Sequence, residues 1–282
     1  MKTTINIILI SILSLVNASC EKKVDLKLKN VTPKLVVEGN VLFGLDTIID
    51  QQEIKLSTTA NYLGNSIPEP AINAVVRVQD GTNTYTYNHI GNGVYRCNFI
   101  ASVNKTYKLI IFYDGDEYNA TETLRQGGAI IKSLSVKYFP GSFGDPGGNF
   151  VILNTVDPIA EDNFYLWKLF INNKLMITAT QGNVYRSMQK DEFFNGQPLI
   201  DYLPNDEFPV EDGDIAQIHQ LNISEQMYNF YYSIFNLTSS SFVTGDVPPG
   251  NIKGNVINLS KPEKNALGYF GACSVSIKTK NI

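Results

Sequence analysis

The sequence predicts a mainly β protein with one short helix. Runs rich in β-branched and aromatic residues recur at intervals of about 8–12 residues, separated by Asp-Gly and Asn-Gly turns, a pattern typical of β-sandwiches. Hydrophobic residues make up 43% of the 282 residues and charged residues 18%, which is the composition of a folded chain. We expect an N-terminal immunoglobulin-like β-sandwich, followed by a second β-rich domain that contains the helix.

The first residues have the order of a secretory signal. Lys2 precedes the apolar stretch Ile5–Val16, and three short residues then lead directly to Cys20. The apolar stretch is shorter than the roughly 20 residues of a membrane-spanning helix. A cysteine at this point indicates a bacterial lipoprotein. We therefore expect a signal peptide over 1–19 and lipidation, such as palmitate, on Cys20; plain secretion and an uncleaved anchor are the alternatives.

The segment after Cys20 is polar and basic. Residues 20–33 contain four lysines and end at Pro33, so we interpret them as a solvated tether beside lipid headgroups. The net charge of the whole chain is −4 and the pI about 5.3. Nucleic-acid-binding proteins usually carry a basic face or stripe, and the sequence contains none. We therefore expect contact with the outer membrane through the lipid anchor and no nucleic-acid partner.

Seven strand-like runs define the predicted sandwich over residues 34–124. They are Leu35–Leu42, Ile54–Ser57, Ile72–Val78, Thr84–Tyr87, Val94–Phe99, Tyr107–Tyr113 and Tyr118–Thr123. Turn residues such as Asp80-Gly81 and Asp114-Gly115 separate these runs. Residues 125–130, with Gly127-Gly128 as a hinge, form the predicted boundary.

The second domain is predicted over residues 130–282. Its strand-like runs are Ile130–Phe139, Phe150–Val156, Phe164–Ile171, Lys174–Thr180, Val256–Leu259 and Cys273–Lys278. The last two are joined by residues 268–271. We expect Trp167 to be buried. Phe139, Phe143 and Phe150 flank a loop rich in Gly and Pro; we favour apolar plugs over an exposed contact surface.

One segment of the second domain predicts a helix. Asn222 and Ser224 are both capping residue types, and Glu225 lies three residues after Asn222, as in a capping box. The apolar positions that follow at helical spacing are Met227, Phe230, Tyr231 and Ile234. We interpret these residues as core rather than as a ligand site.

An acidic stretch over residues 191–214 is the strongest local charge feature. Its carboxylates are interpreted mainly as solvated loop residues. Calcium prefers several oxygen ligands at close spacing, so a weaker hypothesis places a metal ion on Asp206, Glu207, Asp212 and Asp214. The alternating acids and glycine of a calcium loop are absent. A glycan hydrolase that uses carboxylates of this stretch is an alternative function.

Two cysteines and two histidines remain after Cys20. Cys97 and Cys273 are far apart in sequence, so either a disulfide between them or two separate core cysteines fits an oxidising compartment. His89 and His219 are scattered relative to these cysteines and do not have zinc-site spacing. The chain contains no nucleophile elbow, phosphate loop or dinucleotide motif. We therefore expect no cofactor and no enzymatic activity.

Several short motifs occur in order along nearly the whole chain. They are Cys20-Glu21-Lys22, Pro33–Gly39, Ile72–Val76, Gly93–Tyr95, Asp191–Gln197, Glu211–Asp214 and Ala266–Phe270. This set resembles a family of Bacteroidetes outer-membrane lipoproteins of unknown function, commonly encoded beside TonB-dependent receptors. The resemblance implies an accessory to a receptor that imports a nutrient, and it implies no catalytic residues. An envelope-assembly or adhesion role is a further alternative.

Two finer expectations accompany this resemblance. Asp46-Thr47-Ile48 resembles the short acceptor motif of Bacteroidetes protein O-glycosylation, so Thr47 is a hypothetical glycosylation site on an exposed loop. The residues after Cys20 lack the acidic run associated with export to the cell surface in that phylum. The sequence therefore leaves open which face of the outer membrane the protein occupies.

Overall fold

The fold is known from a computed structural model that describes residues 32–60, 67–141, 147–159, 162–176, 186–239 and 252–282, with the side chains of 236–239 excluded. These residues are mainly β, with a large sheet and one helix, which confirms the predicted fold class. The signal peptide, Cys20, most of the tether and Phe143 lie outside the described residues.

Sixteen strands and one longer helix are described. The strands are β1 (Leu35–Gly44), β2 (Gln51–Thr58), β3 (Val75–Gln79), β4 (Thr84–Gly91), β5 (Val94–Asn98), β6 (Lys105–Tyr113), β7 (Asp116–Leu124), β8 (Ile131–Phe139), β9 (Gly148–Val156), β10 (Phe164–Ile171), β11 (Lys174–Met176), β12 (Met188–Lys190), β13 (Pro198–Tyr202), β14 (Ile215–Ile223), β15 (Ile257–Asn258) and β16 (Leu267–Asn281). The helix is α1 (Glu225–Ser239). Short 3-10 turns cover Asp191–Phe193 and Pro262–Lys264.

The strands form two sheets. The order in the large sheet is β11-β10-β14-β16-β1-β2-β5-β4-β3-β6-β7-β15, with β12 also paired to β10. The small sheet has the order β13-β9-β8. In the first half of the chain β4 pairs with both β3 and β5, so it links two layers around one apolar core. This arrangement is compatible with the predicted immunoglobulin-like sandwich.

Strand β16 joins the two halves of the chain. It pairs in parallel with β1, from Val36 opposite Leu267 to Gly44 opposite Val275, and in antiparallel with β14. Phe270 of β16 packs in the core of the first half. The chain from Pro33 onwards forms one compact unit. The predicted boundary coincides with the β7–β8 connection, but the two predicted domains share a sheet and a core.

Residues 268–271 were predicted as a connection, and the structure places them inside β16. Gly268 has φ +89°, and a Cβ there would lie 2.0 Å from the carbonyl oxygen of Val37. At Gly271 a Cβ would lie 2.3 Å from Oδ1 of Asn40. Glycine at these positions therefore allows β16 to approach β1 closely, rather than making a turn.

The connection between β7 and β8 is tied to β16 by buried serines. Ser274 Oγ donates to the carbonyl oxygen of Gly127 at 2.7 Å, and the Ile131 amide donates to Ser276 Oγ at 3.0 Å. A Cβ at Gly128 would lie 2.8 Å from Ser274 Oγ. The two glycines therefore permit close packing on β16, whereas the sequence predicted a hinge.

The second core lies between the small sheet and strands β10 and β14 of the large sheet. Trp167 is buried there, as predicted, and its Nε1 donates to Gln220 Oε1 at 2.8 Å. The buried Gln220 in turn donates to the carbonyl oxygen of Ala129 and to Thr155 Oγ1. Phe139 packs edge-to-face on the buried Phe150, as expected for apolar plugs.

Helix α1 covers the opposite face of β10, β14 and β16. The helix was predicted correctly, but its cap was not assigned to one residue. Asn222 belongs to β14, and Ser224 is the N-cap because its Oγ accepts the Met227 amide at 3.2 Å. Met227 and Phe230 are buried in the core, as their helical spacing predicted. The start of α1 is thereby fixed close to β7 and β16.

Candidate functional site

A cavity of about 730 Å³ opens where β7, β16 and the start of α1 meet. This volume is within the range of small-molecule binding sites. Its walls come from five parts of the chain: the end of β7, the start of β10 with the residues before it, the start of α1, the loop before β15, and β16. This cavity thus lies at a junction of elements from both halves of the chain.

Glu122 of β7 lines the cavity. Its Oε2 accepts a hydrogen bond from the hydroxyl of Tyr269 at 2.8 Å and another from Ser224 Oγ at 3.1 Å. Ser224 is also the cap of α1, so one side chain fixes both the helix and the carboxylate. Burial, followed by the charge of Glu122, raises the pKa of Tyr269 above its usual value. Tyr269 therefore remains a neutral donor at physiological pH.

Charged side chains of both signs line the cavity together with Glu122. Asp162 and Glu225 add two carboxylates, and Arg125 and Lys253 add two cations. All four residues are exposed. Polar side chains complete the lining, while Phe164 and Tyr269 supply aromatic walls that are mostly buried. The cavity is therefore polar and close to balanced in charge.

The loop that carries Lys253 is held against β16 by an amide. Asn255 Nδ2 donates to the carbonyl oxygen of Phe270 at 2.7 Å, and the Phe270 amide donates back to Asn255 Oδ1 at 2.9 Å. The side-chain amide thus makes the same pair of hydrogen bonds with the Phe270 backbone that a neighbouring strand would make. Lys253, which lines the cavity, thus lies two residues before an anchored position of the loop.

None of the site residues proposed from the sequence lines this cavity. The signal that could have found Glu122 is strand periodicity. Tyr118, Ala120 and Leu124 are buried on the inward face of β7, and Glu122 occupies the same register. A carboxylate at an inward strand position requires polar partners, and here those partners are hydroxyls from α1 and β16.

The acidic stretch is not a set of solvated loop carboxylates throughout. Asp191 is buried, and its Oδ2 accepts the Asn163 amide at 2.7 Å. Asp157, which is also buried but precedes the acidic stretch in sequence, accepts from the Tyr165 hydroxyl and from the Gly196 amide at 2.9 Å. Burial is the main cause that raises the pKa of Asp157. These acids fix the turn that leads into β13, which the sequence did not predict as a strand.

The four residues proposed for a metal have separate roles. Asp206 pairs with Arg186 at 2.5 Å, and Asp214 accepts from Asn172 Nδ2 at 2.7 Å. The amide of Glu207 donates to Asn205, and Asp212 is exposed. Within the described ranges, no three His, Cys, Asp or Glu side chains form a group that could hold a metal ion.

The cysteines and histidines are also separate. Cys97 is half-buried in β5, Cys273 is buried in β16, and both are free thiols. His219 contacts Gln217 at 2.7 Å, and burial, with a smaller effect of Lys168, lowers its pKa to about 4. His89 accepts the Gly93 amide. Of the two alternatives left open by the sequence, the structure has two unbonded cysteines.

Thr47 is exposed in a bend that follows β1, so its hydroxyl is accessible. The neighbouring Asp46 is fixed by Ser276 Oγ, which donates to it at 2.7 Å. The glycosylation hypothesis needs an exposed residue, and Thr47 meets that requirement. Cys20, the proposed lipidation site, lies outside the described residues.

Comparisons with known proteins define the family but not an activity. Among the described residues, no helix is long and apolar enough to span a membrane. Comparison with curated proteins gives no significant match. Residues 21–279 match the family described as Domain of unknown function (DUF4249). The match covers both halves of the fold and every wall of the cavity, and the chain belongs to this family.

Proposed function

We propose that this chain is a lipid-anchored outer-membrane protein that binds a small ligand as a non-enzymatic accessory of a TonB-dependent nutrient-uptake receptor. The observation that carries the binding role is the cavity of about 730 Å³ beside Glu122. It combines a fixed carboxylate with charged and polar groups, which is the arrangement of a site that orients a ligand.

The proposed anchor is supported by the order of residues before Cys20. A multiply acylated cysteine holds a protein firmly, since one lipid chain binds only marginally and two anchor stably. The polar segment between Cys20 and Pro33 then places a β body near the membrane surface. Such a position suits a protein that passes a ligand to a neighbouring receptor.

The anchor is tested by metabolic labelling of the native host with radiolabelled palmitate. The wild-type chain is expected to take up label and to fractionate with outer membranes, whereas Cys20→Ala is expected to lose both properties. Cys97→Ala is the matched control, because it removes a cysteine from the folded body, and it should be labelled normally. Equal labelling of Cys20→Ala and wild type would contradict the proposal.

The partner is tested by affinity purification from detergent-solubilised native membranes. A TonB-dependent receptor is expected to co-purify with the wild-type chain and not with an unrelated lipoprotein of the same membrane. Repeated recovery without any such receptor would count against the accessory role. Protease treatment of intact cells then reports which membrane face carries the body.

A further inference from the structure

We propose that the cavity beside Glu122 binds a short peptide through its charged termini. This inference rests on the proposed binding function and names the ligand class of the same site. Three properties of the cavity carry it: charges of both signs in the lining, a carboxylate held in place by two hydroxyls, and a lysine on a separate fixed wall.

The charges in the lining favour a dipolar ligand. Three carboxylates and two cations border the cavity. A ligand that displaces water from the three carboxylates and from Lys253 without providing opposite charges leaves these groups poorly solvated, which costs free energy. A neutral ligand such as a sugar supplies no compensating charge, and a simple anion or cation compensates only one sign. A peptide with free termini supplies one ammonium and one carboxylate group.

Glu122 is placed to receive the ammonium. Its Oε2 is occupied by the hydroxyls of Tyr269 and Ser224. Its Oε1 accepts, among the hydrogen bonds described, only the adjacent Thr123 amide at 3.2 Å. An ammonium group carries three donors and no acceptor. A carboxylate fixed on one oxygen loses little freedom on binding, so its remaining oxygen is a preorganised acceptor for that group.

Lys253 is placed to receive the carboxylate. Its loop is held on β16 by the two hydrogen bonds of Asn255, while Glu122 extends from β7, so the two charges belong to different walls. Arg125 adds a second cation to the lining. The cavity volume is ample for two or three residues between these charges, since small-molecule sites usually measure about 300–1,000 Å³.

The ligand class is tested by isothermal titration calorimetry with matched probes. Ala-Ala and Ala-Ala-Ala carry both charges, N-acetyl-Ala-Ala lacks the ammonium, and Ala-Ala-amide lacks the carboxylate. We expect the free peptides to bind and each blocked form to bind about tenfold more weakly, as for one lost charge pair of roughly 1.4 kcal/mol. Maltose serves as a neutral polar probe.

Two variants test which residue of the cavity binds each terminus of the peptide. Glu122→Gln is expected to lower the affinity for Ala-Ala about tenfold without lowering the affinity for N-acetyl-Ala-Ala further. Lys253→Met should lower the affinity for Ala-Ala without lowering the affinity for Ala-Ala-amide further. Glu117→Gln, on the same strand as Glu122 but outside the cavity, and Lys108→Met, on β6, are the controls and should bind as wild type. Trp167 fluorescence verifies that each variant is folded.

Three results would overturn the inference. They are no binding of either free peptide at concentrations up to about 10 mM, equal affinity for free and blocked peptides, and binding of maltose in place of the peptides. Each of these results leaves palmitate labelling and receptor co-purification unaffected. The proposed function therefore stands or fails independently of the peptide.

Discussion

Gln52 extends the β1–β2 ladder with its side chain. The backbone pairing of the two strands ends at Asn40 opposite Glu53. Beyond that point Gln52 Oε1 accepts the Leu42 amide at 2.8 Å, and its Nε2 donates to the Leu42 carbonyl oxygen at 3.0 Å. We expect Gln52→Leu to lower the free energy of unfolding by roughly 2–4 kcal/mol, because buried backbone groups lose their partners. Urea denaturation measures this loss.

Gln51 provides the control for that prediction. It precedes Gln52 on the same strand, but its side chain is exposed while Gln52 is fully buried. Gln51→Leu should change stability by less than about 0.5 kcal/mol, as is usual for surface positions. Equal losses in the two variants would show that strand propensity, rather than the buried hydrogen bonds, determines the effect.

The hydrogen bonds of the Asp80 carboxylate predict that part of the folding stability is lost at acidic pH. Its buried carboxylate accepts from Lys105 Nζ at 2.8 Å and from the Asn83 amide at 2.9 Å, and chiefly the bond to Lys105 holds the pKa of Asp80 well below its usual value. A lowered pKa means that the folded chain binds fewer protons than the unfolded chain. The stabilisation is therefore complete above the ordinary carboxyl pKa of 3.8 and is lost as the pH falls below it.

The variant that tests this effect is Asp80→Asn. Near neutral pH it should reduce the free energy of unfolding by about 1–3 kcal/mol, as for a charged hydrogen bond, and the difference from wild type should shrink near pH 3. Asp114→Asn changes an exposed turn carboxylate after β6 and should have little effect at either pH. A difference that stays constant with pH in Asp80→Asn would exclude the charge of Asp80 as the cause.

At the residue scale, the sequence predicted which side chains are buried better than it predicted their hydrogen-bond partners. Trp167 was expected in the core and lies there. Glu122 was not recognised, because its partners Ser224 and Tyr269 are about a hundred residues or more away in sequence. Asp191 was interpreted as solvated because its neighbours are acidic, yet the Asn163 amide satisfies it inside the protein. Long-range hydrogen bonds of this kind leave no local pattern in a sequence.

Strand β16 depends on glycine where it passes β1. Gly268 and Gly81 have nearly the same φ, +89° and +91°, but a Cβ meets the Val37 carbonyl oxygen only at Gly268, and nothing lies within 4 Å at Gly81. Gly81→Ala should therefore cost the strain of a left-handed alanine, about 1–2 kcal/mol. Gly268→Ala adds a backbone clash, so we expect it to cost at least about 2 kcal/mol more than Gly81→Ala in thermal or urea unfolding.

The comparison of these two alanine variants isolates the close approach of the strands, because the backbone conformation is matched. Equal destabilisation would mean that β1 moves away from β16 at little cost. In that case residues 268–271 would behave as the connection that the sequence predicted, and the pairing of β1 with β16 would begin further along both strands.

At the element scale the sequence predicted individual strands well and did not predict the pairing of distant strands. The predicted run Phe164–Ile171 coincides with β10, and the alternation of β2 gives its buried face. Strands β12 and β13 lie in or beside the acidic stretch and lack a clear alternation, so they were not predicted. The parallel pairing of β1 with β16 joins residues more than two hundred positions apart, and neither strand carries a local signal for it.

At the scale of the whole molecule the two halves share structure that neither possesses alone. Phe270 and Ala272 of β16 pack in the first core, while other residues of β16 pack under α1 in the second half. Loss of either half thus exposes apolar surface of the other. We therefore expect the chain from Pro33 onwards to unfold in one cooperative transition, in contrast to two independently folding domains.

Trp167 and Cys97 provide one probe in each half for this last prediction. Trp167 is buried in the core between the two sheets, and Cys97 packs against the core of the first half, where burial raises the pKa of its thiol. In a Cys20→Ser background, Trp167 fluorescence and the reaction of Cys97 with a thiol reagent should report the same midpoint in urea. Cys97→Ser supplies the background reaction of Cys273. Thiol exposure at a urea concentration where the fluorescence is still native would show that the first half opens alone, and the core shared through β16 would then contribute little to stability.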